Sequence, residues 1–305
     1  MNQHSGSRPY PVLLLWATLA LALLPGAAHA QDDTADPPAT SGHVLTGKQI
    51  RPENIPFGPG ERADYRVTLG IFGTVGEGSM EVVGMERVDG FLTYHLRMIT
   101  KGGVLFAKVN DQLDSWMDVK GLFARRFLQD QHEVNYKRHR QYDFFPAKKR
   151  WEVKDFRSGN TDSGDLPVDA PLDDVSFLYF VRTLPLEVGE TYVFNRYFKA
   201  DGNPVTLRVL RRDTIKVDAG TFPVIVVQPI IKAGGLFGEG GHAEVFFSDD
   251  SRRLVVQLKS SVPVIGSLNM YLKDYKPGLA TIKPLGEPIR DRSVIDRPQS
   301  PPPPR

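Results

Sequence analysis

Hydrophobic and polar side chains alternate through most of the chain between residues 57 and 276. Every second residue is apolar from Tyr65 to Ile71 and again from Leu92 to Met98. A period of two predicts strands with one buried face. Turn sequences such as Val88-Asp89-Gly90 separate these segments at short intervals. Strands are predicted near residues 62–73, 79–88, 91–100, 108–118, 122–131, 134–145, 150–157, 191–200, 204–217, 222–232, 242–248, 253–261 and 265–274.

The short connections between these strands determine the predicted fold class. Turns of this length join antiparallel hairpins, whereas parallel strands need longer helical crossovers. A sheet with so many strands has to curl or close. We therefore predict a mainly β fold, with residues 57–276 forming a single domain built on a large curved antiparallel sheet, a half-barrel.

Residues 171–184 break the alternation. Pro171 and the acids Asp173 and Asp174 suit the start of a helix, and Pro185 ends it. At about 100° per residue, apolar side chains fall on both sides of this helix. We predict one short helix that is buried on more than one side because it lies over the concave face of the sheet. Packing against a sheet edge is the alternative.

The first thirty residues have the three parts of an export signal. A weakly basic start precedes the 13-residue apolar run Val12–Leu24, and the small residues Ala28 and Ala30 suit a signal peptidase. As a helix this run would span roughly 20 Å, less than the ~30 Å hydrocarbon core of a bilayer. We expect cleavage after Ala30 and a periplasmic mature chain with no transmembrane anchor. An uncleaved N-terminal anchor is the alternative.

Two segments outside the predicted domain have the composition of flexible chain. Residues 31–56 are rich in Asp, Pro, Thr and Ser and are predicted to be a leader. Residues 277–305 form a Pro-rich tail that ends in four prolines and Arg305, a sequence that favours polyproline II. A solvated tail is the simpler interpretation, and a docking segment for a partner protein of the cell envelope is the alternative.

Composition and motifs exclude several kinds of chemistry. The 305 residues include 38 Lys and Arg, 36 Asp and Glu, and no Cys. The lack of Cys excludes disulfides, thiolate metal sites and Cys nucleophiles, and the balanced charge argues against nucleic acid as a partner. No serine-hydrolase, zinc-protease or phosphate-loop motif is present. His132 and His139 have no spacing that converges on an ion, so neither a metal nor a cofactor is expected.

The segment Val134–Phe145 combines aromatic and cationic residues on one face of a predicted strand. Residues 125–150 contain eight Lys or Arg and three Asp or Glu. Arginine offers a planar pair of donors to phosphate or carboxylate, and tyrosine joins an apolar ring to a hydroxyl. Such a face suits an anionic headgroup, although solvated charges that protect an edge strand are the simpler alternative. The candidate ligand-binding residues, on this strand, its neighbour and the helix, are Phe127, Tyr136, Arg138, Arg140, Tyr142, Phe144, Phe177 and Phe180.

Four segments resemble a known family when taken in order: Phe57–Val67, Asp173–Arg182, Leu186–Glu190 and Phe247–Leu254. Together they are similar to the exported bacterial domain-of-unknown-function 3108 family over about residues 57–276. The resemblance implies a half-barrel like that of lipoprotein carriers, with helical material over the concave side. It implies no catalytic residues. Phe246 and Phe247 stand where the family pattern has a Trp before the Ser-Asp-Asp turn.

These observations lead to two functional hypotheses of different classes. The first is a non-enzymatic periplasmic binding or carrier module for a lipid-like or other amphiphilic ligand. The second is an interaction scaffold for envelope assembly, with an interior filled by its own side chains. An enzyme whose residues converge from distant parts of the chain stays open as a third, with no positive sign of it in the sequence.

Overall fold

The structure is a computed structural model that describes residues 43–44, 55–104, 107–133, 136–231, 242–262 and 266–279. In these ranges one α-helix, α1, covers Asp174–Val181, and fifteen strands form one sheet. The strands are β1 His43–Val44, β2 Arg62–Leu69, β3 Gly73–Val88, β4 Phe91–Val104, β5 Ala107–Asp118, β6 Ala124–Glu133, β7 Tyr136–Phe145, β8 Arg150–Asp155, β9 Thr161–Asp165, β10 Thr191–Phe194, β11 Val205–Val217, β12 Gly220–Ile230, β13 His242–Ser248, β14 Val255–Val262 and β15 Gly266–Lys276.

The strands follow the order β1-β10-β11-β12-β13-β14-β15-β2-β3-β4-β5-β6-β7-β8-β9. Every neighbouring pair is antiparallel except β1 and β10, which are parallel. The early strands β2 to β9 and the late strands β10 to β15 are each a simple meander, and β15 pairs with β2 to join them. The sheet is not closed, and β1 and β9 lie at its two edges.

The connection from β9 to β10 has to cross the sheet because these strands lie near opposite edges. This connection contains α1, which packs against β4 and β5 on the concave face. All eight residues of the helix are buried. The predicted half-barrel with one short helix over its concave side is confirmed. The topology also explains why the helix is apolar all round, since sheet lies on one side and further core residues on the other.

Element boundaries differ from the sequence predictions where apolar periodicity is weak. The helix was predicted over 171–184, whereas α1 covers Asp174–Val181. Strand β9, Thr161–Asp165, contains no apolar side chain and is a strand because it pairs with β8. His43–Val44 lies within the predicted leader and pairs with Tyr192 and Val193 of β10. Strand pairing can impose extended structure on sequences that carry no period of two.

Aromatic side chains pack α1 onto the early strands. The ring of Phe57 makes edge-to-face contacts with Tyr94 of β4, at 5.3 Å between centroids, and with Tyr179 of α1, at 5.0 Å. All three residues are buried. Such contacts add about 0.5–1.5 kcal/mol each beyond the burial of apolar area.

A buried ion pair fixes the C-terminal end of α1. Arg182 caps the helix and donates two hydrogen bonds to the Glu61 carboxylate, of 2.6 and 3.0 Å. The same guanidinium donates to the carbonyl oxygens of Pro56 and Arg252, and its carbon lies 5.2 Å from the ring centroid of Tyr179. One side chain therefore joins the helix, the start of β2 and the turn before β14.

We predict that breaking the Arg182–Glu61 pair from one side costs more than removing it from both. Arg182→Met leaves the Glu61 carboxylate buried without its cation, so the free energy of unfolding should fall by about 3–5 kcal/mol. Arg182→Met combined with Glu61→Leu should recover a large part of that loss. Urea unfolding of the single and double variants measures both values.

The exposed pair Arg66–Asp218 is the matched control because it has the same two-bond geometry, with distances of 2.7 and 3.0 Å. Arg66→Met should lower the free energy of unfolding by no more than about 1 kcal/mol, since solvent screens this pair. Equal losses for Arg66→Met and Arg182→Met would contradict the role assigned to the buried pair.

Candidate functional site

The predicted aromatic residues lie in two clusters on the concave face. The sheet cluster consists of Phe127, Tyr142, Phe144 and Phe198, and the helix cluster consists of Phe177, Phe180 and Phe194. In the sheet cluster, the Phe198 ring lies 5.4–5.9 Å from the other three rings. In the helix cluster, the Phe194 ring lies 5.6 Å from Phe180 and 6.4 Å from Phe177. Each cluster is thus centred on a residue that the sequence analysis did not select.

The end of β10 and the segment after it connect the two clusters. Phe194 is the last residue of β10 and Phe198 lies in the segment after it. Arg196, between them, has its guanidinium carbon 4.3 Å from the Phe180 ring centroid. Arg196 donates hydrogen bonds to the carbonyl oxygens of Ala170 and Leu122, of 2.9 and 2.7 Å. Burial lowers the pKa of Arg196 to about 10, which still leaves it charged at neutral pH. The interior therefore contains a cation held by backbone carbonyls.

Polar side chains occupy the concave face next to the sheet cluster. The register of β6 and β7 places Gln129 opposite Arg140 and Gln131 opposite Arg138. Gln129, Gln131 and Arg138 are all buried. The Gln131 Oε1 atom accepts no hydrogen bond from the described residues, although it is inaccessible to solvent. A buried acceptor without a donor is costly, so this patch is a place where a ligand group that donates would be stabilised.

A third cation, Lys199, joins Arg138 and Arg140. Its ammonium nitrogen lies 5.1 Å from the centroid of the Phe198 ring. Burial lowers the pKa of Lys199, and the charges of Arg138 and Arg140 lower it further, whereas Asp174 raises it. Arg138 and Arg140 share one face of β7, and Lys199 follows Phe198, whose ring contacts Tyr142 on that strand. We call these three side chains the cationic group. It lies at the border of the sheet cluster.

Carboxylates surround the cationic group. Arg140 donates to Asp155 at 2.7 Å. Burial would raise the pKa of Asp155, but this bond and two backbone N–H donors bring it to about 2. Asp174, at the start of α1, accepts a hydrogen bond of 3.0 Å from the Tyr197 hydroxyl. The group is therefore partly neutralised, and an anionic ligand would share Arg140 with Asp155.

Asp173 fixes the N-terminal end of α1 from within the core. It accepts hydrogen bonds from the backbone N–H groups of Val175 and Ser176 and from the Ser115 hydroxyl, and Ser176 completes the capping box. Burial raises the pKa of Asp173 to about 7 and outweighs these hydrogen bonds, while the neighbouring charge of Asp174 adds to the rise. The helix N-terminus is thus tied to β5 by an ionisable side chain.

The structure brings most of the predicted residues together. Phe127, Tyr142 and Phe144 meet in the sheet cluster, and Arg138 and Arg140 adjoin it. Phe177 and Phe180 lie in the helix cluster, apart from the predicted basic strand. Tyr136 begins β7, but its side chain lies outside the described part of the structure. The sequence analysis missed Phe194, Arg196, Phe198 and Lys199, although Phe194–Lys199 mixes aromatic and cationic residues just as β7 does.

The described ranges contain neither a candidate metal site nor a helix that could span a membrane. No group of three or more His, Asp or Glu side chains there is arranged to hold a metal ion. No helix within those ranges has the length and apolar character needed to cross a bilayer. The predicted export signal and most of the predicted tail lie outside the described residues.

The family profile described as "Protein of unknown function (DUF3108)" matches residues 64–273, more than half of the chain. This chain belongs to the DUF3108 family. The family resemblance seen in the sequence is therefore confirmed. No curated protein matches the DUF3108 chain in sequence.

Three solved structures are similar to the DUF3108 chain. A β-barrel-like protein of the DUF1849 family from Brucella abortus has 13% identity and a TM-score of 0.46, covering 72% of this chain and 98% of its own. A candidate lipoprotein from Parabacteroides distasonis has 10% identity and a TM-score of 0.34, covering 73% and 99%. A candidate exported protein with a YmcC-like fold from Bacteroides fragilis has 8% identity and a TM-score of 0.29, covering 73% and 98%.

We predict that Phe180→Ala lowers the free energy of unfolding by about 3–5 kcal/mol. Phe180 is fully buried between Phe194 and Arg196, so truncation leaves a cavity that its neighbours cannot fill. Phe156→Ala is the control, since Phe156 is 41% exposed and should cost much less. Urea unfolding measures both. A Phe180→Ala loss as small as that of Phe156→Ala would mean that the helix cluster is loosely packed.

We also predict that Asp173 makes the protein less stable as the pH rises. The folded protein keeps a proton on Asp173 that the unfolded chain releases from about pH 4 upward, so the free energy of unfolding falls between about pH 4 and 7. Asp173→Asn keeps the capping oxygen and removes the ionisation. Urea unfolding at several pH values between 4 and 8 should therefore show a flatter profile for Asp173→Asn.

His95 changes stability in the same direction, so the comparison must be made between Asp173→Asn and its parent. Burial lowers the pKa of His95, but bonds of 2.6 Å to Asp114 and 2.9 Å to Glu86 raise it overall. Its stabilising charge is lost as the pH rises through that raised value. Equal slopes for Asp173→Asn and the parent would show that Asp173 does not titrate in this window.

Proposed function

We propose that this DUF3108 protein is an exported, non-enzymatic binding or carrier module for an anionic amphiphile of the cell envelope. The observation that carries the proposal is the cationic group of Arg138, Arg140 and Lys199 beside the aromatic sheet cluster. Charged and apolar recognition elements adjoin there, as an amphiphile with an acidic headgroup requires.

The headgroup would lie against the cationic group and the glutamines opposite it. Guanidinium groups bind phosphate and carboxylate oxygens through two donors, and Lys199 adds a third cation. The Gln131 Oε1 atom accepts no hydrogen bond from the part of the chain that the structure describes, and it favours a headgroup that also carries a hydroxyl or amine donor. An anion bearing a hydroxyl, as in glycerol phosphate or a hydroxy acid, would meet both demands.

The apolar part of the ligand would lie along the sheet cluster. Tyr142 is only partly buried, and Trp151 of β8 lies 6.2 Å from it, so the cluster continues toward the β8–β9 edge of the sheet. This edge offers a way in that does not require α1 to move, because α1 packs on β4 and β5. Phe177 and Phe180 are then structural residues of the helix cluster, and the chain of the ligand need not reach them.

Export is part of the proposal and rests on the N-terminal sequence. The apolar run Val12–Leu24 and the small residues before Gln31 have the pattern of a cleaved signal peptide. We expect the mature protein to be periplasmic, to begin at Gln31 and to carry no transmembrane anchor. N-terminal sequencing of the fractionated protein tests this part separately.

One observation favours the second hypothesis, an interaction scaffold for envelope assembly. Phe194 and Phe198 occupy the centres of the two aromatic clusters, so the chain's own side chains take up space that a ligand would use. In that case the interior only stabilises the fold, and an edge strand or the Pro-rich tail would capture a partner protein. Ligand occupancy therefore decides between the two functions.

The proposal predicts that the protein binds a fluorescent fatty acid and that neutralising the cationic group weakens this binding. Arg138→Gln combined with Lys199→Gln removes two charged donors, which should lower the affinity for the acid at least about tenfold. The affinity for the methyl ester of the same probe should change little. Fluorescence titration measures both, and native mass spectrometry of the purified protein looks for a co-purified amphiphile.

Lys137→Gln is the matched control because Lys137 is exposed and belongs to the same strand, on the face opposite Arg138. It should bind the acid as the parent does. If neither probe binds and no amphiphile co-purifies, the carrier function is wrong and the scaffold hypothesis leads. If both probes bind but the glutamine variants bind the acid normally, the headgroup site has been misplaced.

A further inference from the structure

The β2–β3 turn presents two large apolar side chains to solvent. Ile71 and Phe72 lie in a 3-10 turn, Gly70–Phe72, and are 95% and 50% exposed. Gly73 follows with a φ of 68°, a conformation that favours glycine. Single exposed apolar residues are common on protein surfaces, but two adjacent ones at the apex of a hairpin form a projecting apolar tip.

The neighbouring hairpin lies close beside this tip. The register pairs Gly76 of β3 with Gly102 of β4, and Gly103 with Lys108 of β5. A Cβ atom on Gly76 would lie 2.2 Å from the Lys101 carbonyl oxygen, and one on Gly102 would lie 2.3 Å from the Val75 carbonyl oxygen. Only glycine permits this approach, so the β2–β3 and β4–β5 hairpins end together. We call this end of the sheet the tip end.

Two exposed lysines lie near the tip, Lys101 of β4 and Lys108 of β5, and residues 69–76, 101–104 and 107–110 contain no Asp, Glu or Arg. Glu133 of β6, which pairs with Val109, lies at the same end. The first acid along β3 is Glu77, which pairs with Lys101 and lies farther from the apex than Lys108.

We propose that the tip end docks on the surface of an anionic lipid bilayer. Ile71 and Phe72 insert among the lipid headgroups, and Lys101 and Lys108 lie against lipid phosphates. Projecting apolar side chains flanked by lysines are the combination by which soluble proteins bind anionic membranes. The proposal requires no ligand on the concave face and is independent of the carrier function.

The small size of the tip favours a bilayer over a protein partner. A stable protein interface buries about 800 Å² on each side and has a complementary packed core. The tip offers two exposed apolar side chains in a short 3-10 turn, which is far less area than such an interface needs. A bilayer needs no shape complementarity, because the lipids move around an inserted side chain.

The test is binding to vesicles of phosphatidylcholine with and without phosphatidylglycerol, using protein expressed from the complete sequence. Ile71→Ser combined with Phe72→Ser should reduce the partition coefficient for the anionic vesicles at least about tenfold. Lys101→Gln combined with Lys108→Gln should reduce it several-fold and weaken its dependence on salt. Any binding by the N-terminal apolar run is common to all variants.

Two control variants lie at the opposite end of the sheet. Phe91 is 50% exposed, as Phe72 is, and lies at the start of β4, so Phe91→Ser should bind as the parent does. Lys120 is exposed in the β5–β6 turn, and Lys120→Gln should also bind normally. All changed residues are exposed, so unfolding midpoints should stay close to the parent value.

Three outcomes would overturn the proposal. The first is a parent protein that binds neither kind of vesicle. The second is an equal loss of vesicle binding in Phe91→Ser and in the Ile71→Ser, Phe72→Ser protein. The third is an Ile71→Ser, Phe72→Ser protein that binds vesicles normally but no longer binds an envelope protein that the parent binds, since the tip would then be a protein interface. Loss of vesicle binding in the tip variants with normal binding in both controls supports the docking surface.

Discussion

The contact between Arg182 and Glu61 links three parts of the chain that are distant in sequence. Glu61 precedes β2, Arg182 caps α1, and the same guanidinium bonds the carbonyl oxygen of Arg252 before β14. Both side chains are almost fully buried, at 3% and 6% exposure. A charge placed in such surroundings without its partner is strongly unfavourable, so the pair tolerates few other arrangements. It fixes the helix near the seam where β15 meets β2.

The ion pair fixes a helix whose orientation the sheet topology alone would not determine. The two meanders meet only through the pairing of β15 with β2 on the sheet, and the β9–β10 connection has to cross the concave face to link them. A helix that is apolar all round has no preferred rotation of its own against an apolar surface. Asp173 at one end and Arg182 at the other fix both its position and its rotation through directional bonds.

The fold can be predicted well from the sequence because the features that indicate strands, turns and the helix depend on residues that are neighbours in the chain. Alternation from Tyr65 to Ile71 and the turns between strands are properties of neighbouring residues, and so are the proline and acids that begin the helix. Pairing partners are not local. β9 has no apolar residue and is extended only because β8 lies beside it. Glu61 and Arg182 are separated by 121 positions, and nothing in either neighbourhood indicates the other.

The candidate site is likewise predictable within each segment but not in the contact between segments. The mixed face of β7 is visible in the sequence, and Arg138, Arg140, Tyr142 and Phe144 do lie together on the concave side. Phe198 and Lys199 complete the site from a segment that follows β10, near the opposite edge of the sheet from β7. Only the curvature of the sheet and the crossing connection bring these segments together. A search for aromatic and cationic residues mixed within a few positions would have found both segments, but not their contact.

The two ends of the sheet are built in opposite ways. At the end where β2 begins, Glu61, Arg182 and the rings of Phe57 and Tyr179 bury charge and aromatic area under the helix. At the end where β2 finishes, glycines bring two hairpins together and leave Ile71 and Phe72 in solvent. Leu268, a partly buried apolar residue, lies near Ile71 and Phe72. Packing the two side chains against such surface would have been favourable through the hydrophobic effect. The membrane docking proposed above would remove these side chains from water, whereas the buried ion pair at the opposite end is explained by folding alone.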